Sequence, residues 1–351
     1  MSDGAVLVTG ASGYLGGLVA RRYRDAGYEV LGHSRRAVEA EGVVWAAGDL
    51  ADDDPFAAVD PQWWARLTHI VHAGAITRFD VDRRAAQAVN VDGTAKVLDL
   101  ARGCPRLTGL GLVSTVYATG LRAGPVDEAL YDDGPGFANE YEWSKWQAEQ
   151  LVAAVGPELP WRILRVATIV ADDATGRVTQ HNAFHETLKL WFHGLLPLVP
   201  GHADTPLYLV TGDVVADAVV TLVESTSPGG VYHLAPDASA SPSLAELLDI
   251  VSAAFDAVES FRRRRVLRPL LGDEESFDLL ARGVDAFGGG LVRQSLQSVV
   301  PFARQLFVAK ELSTARLHAA LPDHGDGDVA ELVRHTCEWL VATRWGRRDV
   351  A

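Results

Sequence analysis

Residues 6–27 read VLVTGASGYLGGLVARRYRDAG, and this stretch decides the fold class. An apolar, β-branched run is followed by three glycines, Gly10, Gly13 and Gly16, and then by good helix formers. Glycines at this spacing allow a tight turn, and the helix start offers free N–H groups and partial positive charge to a pyrophosphate. The stretch therefore predicts a strand, a phosphate-binding turn and a helix that bind a dinucleotide.

Short apolar runs alternate with longer helical segments through the first half of the chain. The helical period is clearest over residues 82–103, where small or apolar residues recur every three or four positions. Strands are predicted near residues 4–9, 28–33, 43–46, 69–73, 108–114 and 161–166. Such alternation predicts an α/β fold, a Rossmann doubly wound parallel sheet covered by helices.

The regularity fades after about residue 170. We predict a loop at 195–206, helices at 213–225 and 244–258, a strand at 230–235, and a mostly helical remainder with loops at 283–290 and 322–328. The expected domains are a Rossmann domain (residues 1–175 and 207–235) and a smaller, mostly helical C-terminal substrate lobe (176–206 and 236–351).

Composition limits the possible partners. The 351 residues carry a formal net charge of -14, which argues against nucleic acid and anionic membrane surfaces. The two cysteines, Cys104 and Cys337, have no metal-ligand spacing and suit a reducing compartment. The longest apolar segment, residues 190–199, is too short to span a bilayer, and the first residues do not resemble a secretory signal. We therefore expect a cytoplasmic protein.

A tyrosine and a lysine stand four residues apart in ANEYEWSKWQAEQL, residues 138–151. In a helix, Tyr141 and Lys145 would lie on one face, about 5–6 Å apart at Cβ. The spacing permits joint chemistry, but it also arises by chance in many helices. The pair gains weight only from other motifs in the chain.

Those motifs occur together, in a characteristic order. They are TGASGYLG at 9–16, GDL at 48–50, HAGA at 72–75, NVDGT at 90–94, STVYATG at 114–120 and the Tyr141/Lys145 pair. Over roughly residues 1–235 the chain thus resembles an extended short-chain dehydrogenase/reductase. The joint occurrence of six motifs is far more specific than any one of them.

The resemblance and the glycine turn give a set of expected cofactor-binding residues. Asp49 and Leu50 would contact adenine, and Asn90 would hold a central helix in place. The full set is Gly10, Ser12, Gly13, Tyr14, Leu15, Gly16, Ser34, Arg35, Arg36, Asp49, Leu50, Ala73, Gly74, Ala75, Asn90, Ser114, Tyr141, Lys145, Ala167 and Thr168.

The residues after the second strand address the choice of nicotinamide cofactor. NAD-binding folds place an acidic residue there for the ribose diol, whereas a 2′-phosphate needs arginine. This chain has Ser34, Arg35 and Arg36 and no acid, so we expect NADPH/NADP+. A solvated turn is the alternative.

The resemblance implies a catalytic set of Thr115, Tyr141 and Lys145. Tyr141 would protonate the oxygen of a carbonyl that accepts hydride from the nicotinamide, and Thr115 would hold that oxygen. Lys145 would lower the tyrosine pKa from about 10 and bind the ribose. Ser114 and Thr115 are consecutive strand residues that face opposite ways, so only one of the two hydroxyls is expected to face the substrate.

Three stretches resemble one branch of this family, the thioester and fatty acyl-CoA reductases: residues 71–102, 114–128 and 196–220. This resemblance implies reduction of an acyl thioester to an aldehyde or alcohol. The chain departs from the branch at Arg165-Val166-Ala167, where a proline usually follows the arginine. The alternatives are a ketone or aldehyde reductase or hydroxysteroid-type dehydrogenase, a nucleotide-sugar epimerase or dehydratase, and a non-enzymatic NADP sensor.

Two further features bear on partners and metals. Arg262–Arg265 and Arg268 could dock an acidic acyl carrier protein, or they could be solvated charges at a helix end. His181 and His185 have an i, i+4 spacing but no evident third ligand, so we expect no metal site. The family resemblance also suggests a homodimer.

Overall fold

A computed structural model describes residues 4–38, 40–225, 229–283, 302–322, 324–325 and 327–347. The strands are β1 (Ala5–Thr9), β2 (Glu29–Ser34), β3 (Val43–Ala47), β4 (Leu67–His72), β5 (Gly109–Thr115), β6 (Gly124–Val126), β7 (Trp161–Val166), β8 (Thr168–Ala171), β9 (Leu198–Pro200), β10 (Leu209–Thr211), β11 (Val231–Leu234), β12 (Leu270–Gly272) and β13 (Lys310–Leu312).

Seven of these strands form one parallel sheet in the order β11-β7-β5-β4-β1-β2-β3. The predicted Rossmann doubly wound fold is confirmed, and each strand predicted in the first half lies within two residues of its expected bounds. The strand order reverses direction between β1 and β4. Ligands of such sheets bind at the carboxyl ends of the strands beside this switch point.

The helices are α1 (Tyr14–Asp25), α2 (Arg83–Ala86), α3 (Gly93–Arg102), α4 (Glu140–Ala154), α5 (Ala183–Phe192), α6 (Gly212–Glu224), α7 (Leu244–Asp256), α8 (Glu259–Arg264), α9 (Glu274–Gly283), α10 (Ala315–Ala320) and α11 (Val329–Ala342). The helix predicted at 82–103 contains a π-helical segment, Gln87–Asp92, between α2 and α3. Such π segments are rare and often occur at functional sites.

Two layers of helices cover the sheet because successive strand residues face opposite sides. Val6 and Val8 of β1 belong to a buried cluster with α1 and α6. Ala5 and Leu7 belong to a second cluster with α3 and α4 on the other face. The first strand therefore supplies both cores.

A third buried cluster joins α5, α7 and α11. It contains residues of both predicted domains, since Val170, Ala171 and Leu209 belong to it, and its surroundings are less helical than predicted. The predicted loop at 195–206 contains β9, which pairs with β12, and β13 pairs with β6. Three-residue strands carry too little periodicity to be identified from sequence. Of the loop predicted at 283–290, residues 284–290 lie outside the described residues.

The helices that the structure describes include none long and apolar enough to cross a membrane. Cys104 and Cys337 are both buried and unpaired, and burial raises the pKa of the Cys104 thiol to about 11.

Candidate active site

The glycine turn connects β1 to α1 by close backbone contacts. Gly10 has a φ of +68°, and a Cβ there would lie 2.7 Å from the Gly74 backbone. A Cβ on Gly16 would lie 2.3 Å from the Gly10 carbonyl oxygen. Both positions therefore exclude any side chain, because the ends of β1 and β4 and the start of α1 pack backbone to backbone.

Gly13 is less tightly enclosed than Gly10 and Gly16. Its φ of -79° is ordinary, and an added Cβ would meet only the Gly10 carbonyl oxygen, at 3.1 Å. Gly13 precedes α1, whose first turn contains no acidic residue and receives no side-chain cap from Gly13. The absence of a side chain at Gly13 and the N–H groups of this turn fit the pyrophosphate of a dinucleotide.

A hydrogen-bond chain fixes the end of β4 beside this turn. The Gly74 N–H donates to Thr9 Oγ1 at 3.0 Å, Thr9 Oγ1 lies 2.7 Å from His72 Nδ1, and His72 Nε2 lies 3.0 Å from Thr94 Oγ1. Because Thr94 Oγ1 donates to the Asn90 carbonyl, the proton of His72 must be on Nε2. Burial lowers the pKa of His72 to about 3, so this histidine is neutral.

Asn90, in the π-helical segment, connects three elements. Its Oδ1 accepts from the Ile76 N–H at 2.8 Å, and its Nδ2 donates to the Ile76 carbonyl and to Ser144 Oγ, both at 2.9 Å. These bonds hold the loop after β4 against α4. Asn90 therefore has the contacts of the helix-holding residue that we expected, and it does not line the cavity described below.

Helix α4 carries a buried stripe of polar side chains. Asn139 caps the helix by accepting from the Glu142 N–H at 3.0 Å. Tyr141 therefore falls in the first turn, Lys145 follows one turn later and Glu149 a turn after that. Tyr141, Lys145 and Glu149 are all buried.

The Tyr141 phenol lies in a largely aromatic environment. Its ring centroid is 5.7 Å from that of Phe79, and its side chain is hydrogen-bonded to Thr115. Burial raises the pKa of Tyr141, the Thr115 hydrogen bond lowers it, and Glu142 and Tyr117 raise it. Lys145 is not among the groups that shift the pKa of Tyr141, so the lowering that we expected from it is not found, and the loss of water around the phenolate is the largest effect.

Lys145 is 3% exposed, and burial lowers its pKa to about 8, while the charge of Glu149 raises it. Among the described residues, no carboxylate lies within ion-pair distance of its ammonium. Lys145 is not among the residues that line the cavity. The Lys145 side chain therefore lies inside the protein, one helical turn after Tyr141 on α4.

The two hydroxyls at the end of β5 have different partners. Ser114 Oγ donates to Glu149 Oε1 at 2.5 Å, whereas Thr115 Oγ1 accepts from the Tyr117 N–H at 3.3 Å and contacts Tyr141. Both residues line the cavity, but the Ser114 hydroxyl is directed to the buried carboxylate. The geometry thus favours Thr115 as the hydroxyl beside the reacting oxygen.

A cavity of about 950 Å³ runs along the carboxyl ends of the strands. Its size is at the upper end for small-molecule sites. The expected residues that line it are Gly10, Ser12, Gly13, Tyr14, Leu15, Gly16, Ser34, Arg35, Asp49, Leu50, Ala73, Gly74, Ala75, Ser114, Thr115, Tyr141, Ala167 and Thr168. Arg36, like Asn90 and Lys145, does not line it, although Arg36 is exposed next to Arg35.

The same cavity is also lined by apolar residues of the second half of the chain, which the sequence did not assign to the site. We call this part of the cavity the apolar chamber; its walls come from α5, α7 and the segments around them, namely Leu188, Trp191, Leu196, Val199, Leu207, Leu209, Leu244, Leu247, Leu248, Val251 and Leu306. The first turn of α5 supplies polar, half-exposed residues, including Asn182 and Glu186. Polarity therefore falls from a half-exposed rim to a buried interior.

The C-terminal segment also reaches helix α4. Lys310 Nζ lies 2.8 Å from Gln305 Oε1, and Gln305 Nε2 donates to Glu142 Oε2 at 2.8 Å. Gln305 lines the cavity, and Glu142 directly follows Tyr141. Since the two sides are more than 160 residues apart in sequence, no local pattern could have joined them.

No metal site is found among the described histidine, cysteine and carboxylate side chains. His185 uses both ring nitrogens within the protein: Nδ1 accepts from the Asn182 N–H at 3.0 Å, and Nε2 lies 2.8 Å from the Val170 carbonyl. His185 therefore caps the start of α5, and its i, i+4 spacing to His181 does not indicate a metal site.

Comparison with known proteins identifies the family. A family model described as "Male sterility protein", of an NAD-binding type, matches residues 35–219, more than half of the chain. A curated relative, the fatty acyl-CoA reductase wat of Drosophila melanogaster, is 25% identical over 204 residues, which cover 48% of this chain and 39% of that protein. The chain covers still less, 5%, of the other curated relative that it matches.

Two solved structures show the same fold. The terminal R domain from the myxalamid PKS-NRPS biosynthetic pathway has a TM-score of 0.77 and 22% identity, covering 98% of this chain and 92% of that one. A thiolation-reductase di-domain from an archaeal non-ribosomal peptide synthetase has a TM-score of 0.71 and 16% identity, covering 98% and 76%. The chain belongs to the male sterility protein family, in the branch of the extended short-chain dehydrogenases/reductases that also contains the thioester reductases and fatty acyl-CoA reductases.

Proposed function

We propose that the protein reduces an acyl thioester with an apolar acyl group, using NADPH. The observation that carries this proposal is the apolar chamber, which belongs to the same cavity as Tyr141 and is lined by aliphatic and aromatic side chains. A hydrocarbon chain would gain free energy there from burial. A nucleotide sugar would instead leave its hydroxyls without hydrogen-bond partners, at a cost. The epimerase alternative is therefore less favoured, and the relatives named above support the thioester.

In this proposal the bound nicotinamide supplies a hydride to the thioester carbonyl carbon. Tyr141 donates its phenolic proton to the carbonyl oxygen, and the Thr115 hydroxyl holds that oxygen by a hydrogen bond. Lys145, as an ammonium, stabilises the negative charge left on the phenolate. Phe79 and the buried surroundings of Tyr141 exclude water from the reacting atoms.

The chemistry balances without a further reactant. The hydride forms a C–H bond, the resulting hemithioacetal loses its C–S bond, and the thiolate takes a proton and leaves as a thiol. One thioester, one NADPH and one proton give one aldehyde, one thiol and one NADP+. A second hydride transfer to the aldehyde would give the alcohol.

The preference for NADPH is supported by the residues after β2. Arg35 lines the cavity, and neither Arg35 nor Arg36 has an ion-pair partner within the part of the chain that the structure describes. Both guanidinium groups are thus available to a 2′-phosphate. Asp49 follows β3, where its Oδ1 accepts from the Ala51 N–H at 3.0 Å. We assign it to the adenine side of the site.

We also propose that the thioester is carried by an acidic acyl carrier protein. The four arginines form the last turn of α8 and its left-handed cap, as expected for a helix end. Arg263 pairs with Glu259, and the Arg264 guanidinium lies 4.7 Å from the Phe192 ring centroid. Arg262 and Arg265 remain exposed. On a chain that is otherwise acidic, they can attract the negative surface of a carrier protein.

The two-domain division and the homodimer remain predictions.

The apolar chamber makes a direct prediction about chain length. With a series of acyl-CoA thioesters from acetyl to dodecanoyl, kcat/KM should rise by up to about fourfold for each added methylene until the chamber is filled. The rate is followed as NADPH consumption. The matched control is a series in which the terminal carbon bears a carboxylate, which should lose the gain because burying its charge is costly. Equal rates for acetyl and decanoyl thioesters would contradict the proposed substrate class.

A further inference from the structure

A buried ion pair lies directly behind the catalytic residues. Glu149 on α4 and Arg165 on β7 are both fully buried. The Arg165 guanidinium donates from Nη2 to Glu149 Oε2 at 2.7 Å and from Nε to Glu149 Oε1 at 3.0 Å. Ser114, next to Thr115, adds a third donor to the same carboxylate. The pair therefore joins the catalytic helix to the two strands that end at the cavity.

The position of Glu149 relates this pair to Lys145. The two residues are four apart on α4 and therefore share one helix face. Yet the hydrogen bonds from Arg165 and Ser114 occupy the carboxylate, and no ion pair forms between Glu149 and Lys145. Glu149 thus acts on Lys145 through its charge, without accepting a hydrogen bond from the ammonium group.

Few other charged groups act on Lys145. His72 faces it from β4 and is neutral, because burial lowers its pKa to about 3. Tyr141 lies one turn earlier on the same helix and is protonated at neutral pH, because burial raises its pKa. Arg165 makes its ion pair with Glu149 and is not among the groups that shift the pKa of Lys145. Glu149 is accordingly the anionic group, among the described residues, whose charge favours a charged Lys145.

We propose that the buried Glu149–Arg165 pair keeps Lys145 in its ammonium form without binding it, which makes Glu149 a positioning residue for the reaction. This inference rests on the proposed function, in which Lys145 works as a cation beside the phenolate. A direct Lys145–Glu149 ion pair would also favour the ammonium, but it would occupy the ammonium protons with the carboxylate. Holding the carboxylate by Arg165 and Ser114 leaves the ammonium protons free for the cofactor ribose and for Tyr141.

The test uses the double variant Glu149→Gln/Arg165→Met, in which both buried charges disappear together. Glu149→Gln alone would leave the Arg165 guanidinium buried without its partner, which is strongly destabilising, whereas removing a whole pair is often tolerated. Ser114→Ala is the matched control, because it removes one hydrogen bond from Glu149 and leaves both charges. Circular dichroism first establishes that the variants are folded.

The pKa of Lys145 is measured directly by carbon-13 NMR of labelled lysine side chains, with Lys145→Arg used for assignment. In the wild type we expect a pKa of about 8. In the double variant we expect it to fall by about one unit or more, which is a tenfold change in the ratio of ammonium to amine. Ser114→Ala should stay within about 0.3 units of the wild type. An unchanged or raised Lys145 pKa in the folded double variant would overturn the inference.

A kinetic readout separates this role from a structural one. Lys145 must be protonated, so activity falls as pH rises through its pKa, and a lower pKa moves that fall to lower pH. In a Lys145→Arg background this fall should be absent both with and without the pair, because arginine stays charged, and removal of the pair should then leave the pH profile unchanged. An equal shift in both backgrounds would contradict the inference. Failure of the protein to reduce any thioester would instead overturn the proposed function, while the NMR titration would still decide the role of Glu149.

Discussion

Replacing Tyr141 by phenylalanine is expected to lower the rate of carbonyl reduction by about 10²–10⁴-fold, the usual contribution of a positioned general acid. The substitution removes only the hydroxyl that hydrogen-bonds Thr115, while the ring that packs on Phe79 remains. Cofactor binding and the melting temperature should change little. The measurement is single-turnover reduction of an acyl thioester at saturating NADPH, together with NADPH affinity from fluorescence.

Tyr117→Phe is the matched control for this substitution. Tyr117 is a second buried phenol that lines the same cavity, but its hydroxyl lies 3.0 Å from Thr168 Oγ1. We expect a change below about tenfold, because the loss of one neutral hydrogen bond costs about 1 kcal/mol. If Tyr117→Phe had the larger effect, the acid would have been assigned to the wrong phenol. Unchanged turnover in Tyr141→Phe would favour the view that no proton comes from Tyr141.

The double substitution Arg35→Ser/Arg36→Ser is expected to raise the KM for NADPH by about 10–100-fold and to leave the KM for NADH nearly unchanged. The two guanidinium groups lie at the end of β2, where only NADPH would present a phosphate. The preference is measured as the ratio of kcat/KM for the two cofactors. Arg102→Ser serves as the control, because Arg102 is an exposed residue of α3 that pairs with Asp99 and Glu158.

Equal loss with NADPH and NADH would mean that the two arginines act on a part of the cofactor common to both. A wild-type preference for NADH would contradict the assignment outright. Either result would show that the residues after β2 do not determine a preference for NADPH. The proposed hydride transfer from the nicotinamide would not be affected.

The first half of the fold could be predicted because local signals agree with one another. The strand, turn and helix from β1 through Gly10 and Gly16 into α1 were predicted correctly. At both glycines an added Cβ would clash with nearby backbone atoms, so the sequence must have glycine there. The parallel strands read correctly because both of their faces are buried, so each is a short apolar run bounded by turns. These signals extend over five to twenty residues and need no knowledge of distant contacts.

The substrate side could not be predicted in the same way. The apolar chamber combines residues of α5, α7 and the segment around Leu306, and an apolar helix face looks the same whether it lines a cavity or fills a core. Gln305 and Lys310 reach Glu142 across a long stretch of sequence. Such contacts exist only once the chain has folded.

Glu149 lies between these two cases, because a sequence signal for it was present. It continues the four-residue spacing of Tyr141 and Lys145 along a helix whose buried face is polar. A third polar residue in this register should have been expected inside the protein. Its partner Arg165, however, comes from β7. The role of the Glu149 charge beside Lys145 could therefore be inferred only after the structure had shown the Glu149–Arg165 ion pair.

The central claim is that a hydride reaches a thioester carbon and that the thiol then leaves. The most direct measurement incubates the purified protein with NADPH carrying deuterium at the transferred position and with decanoyl-CoA, and then determines the aldehyde or alcohol by mass spectrometry and free CoA by a thiol reagent. The account predicts deuterium on the former carbonyl carbon and one free thiol for each aldehyde formed, or one for every two NADPH consumed if the alcohol is the product. Consumption of NADPH without release of thiol would contradict it.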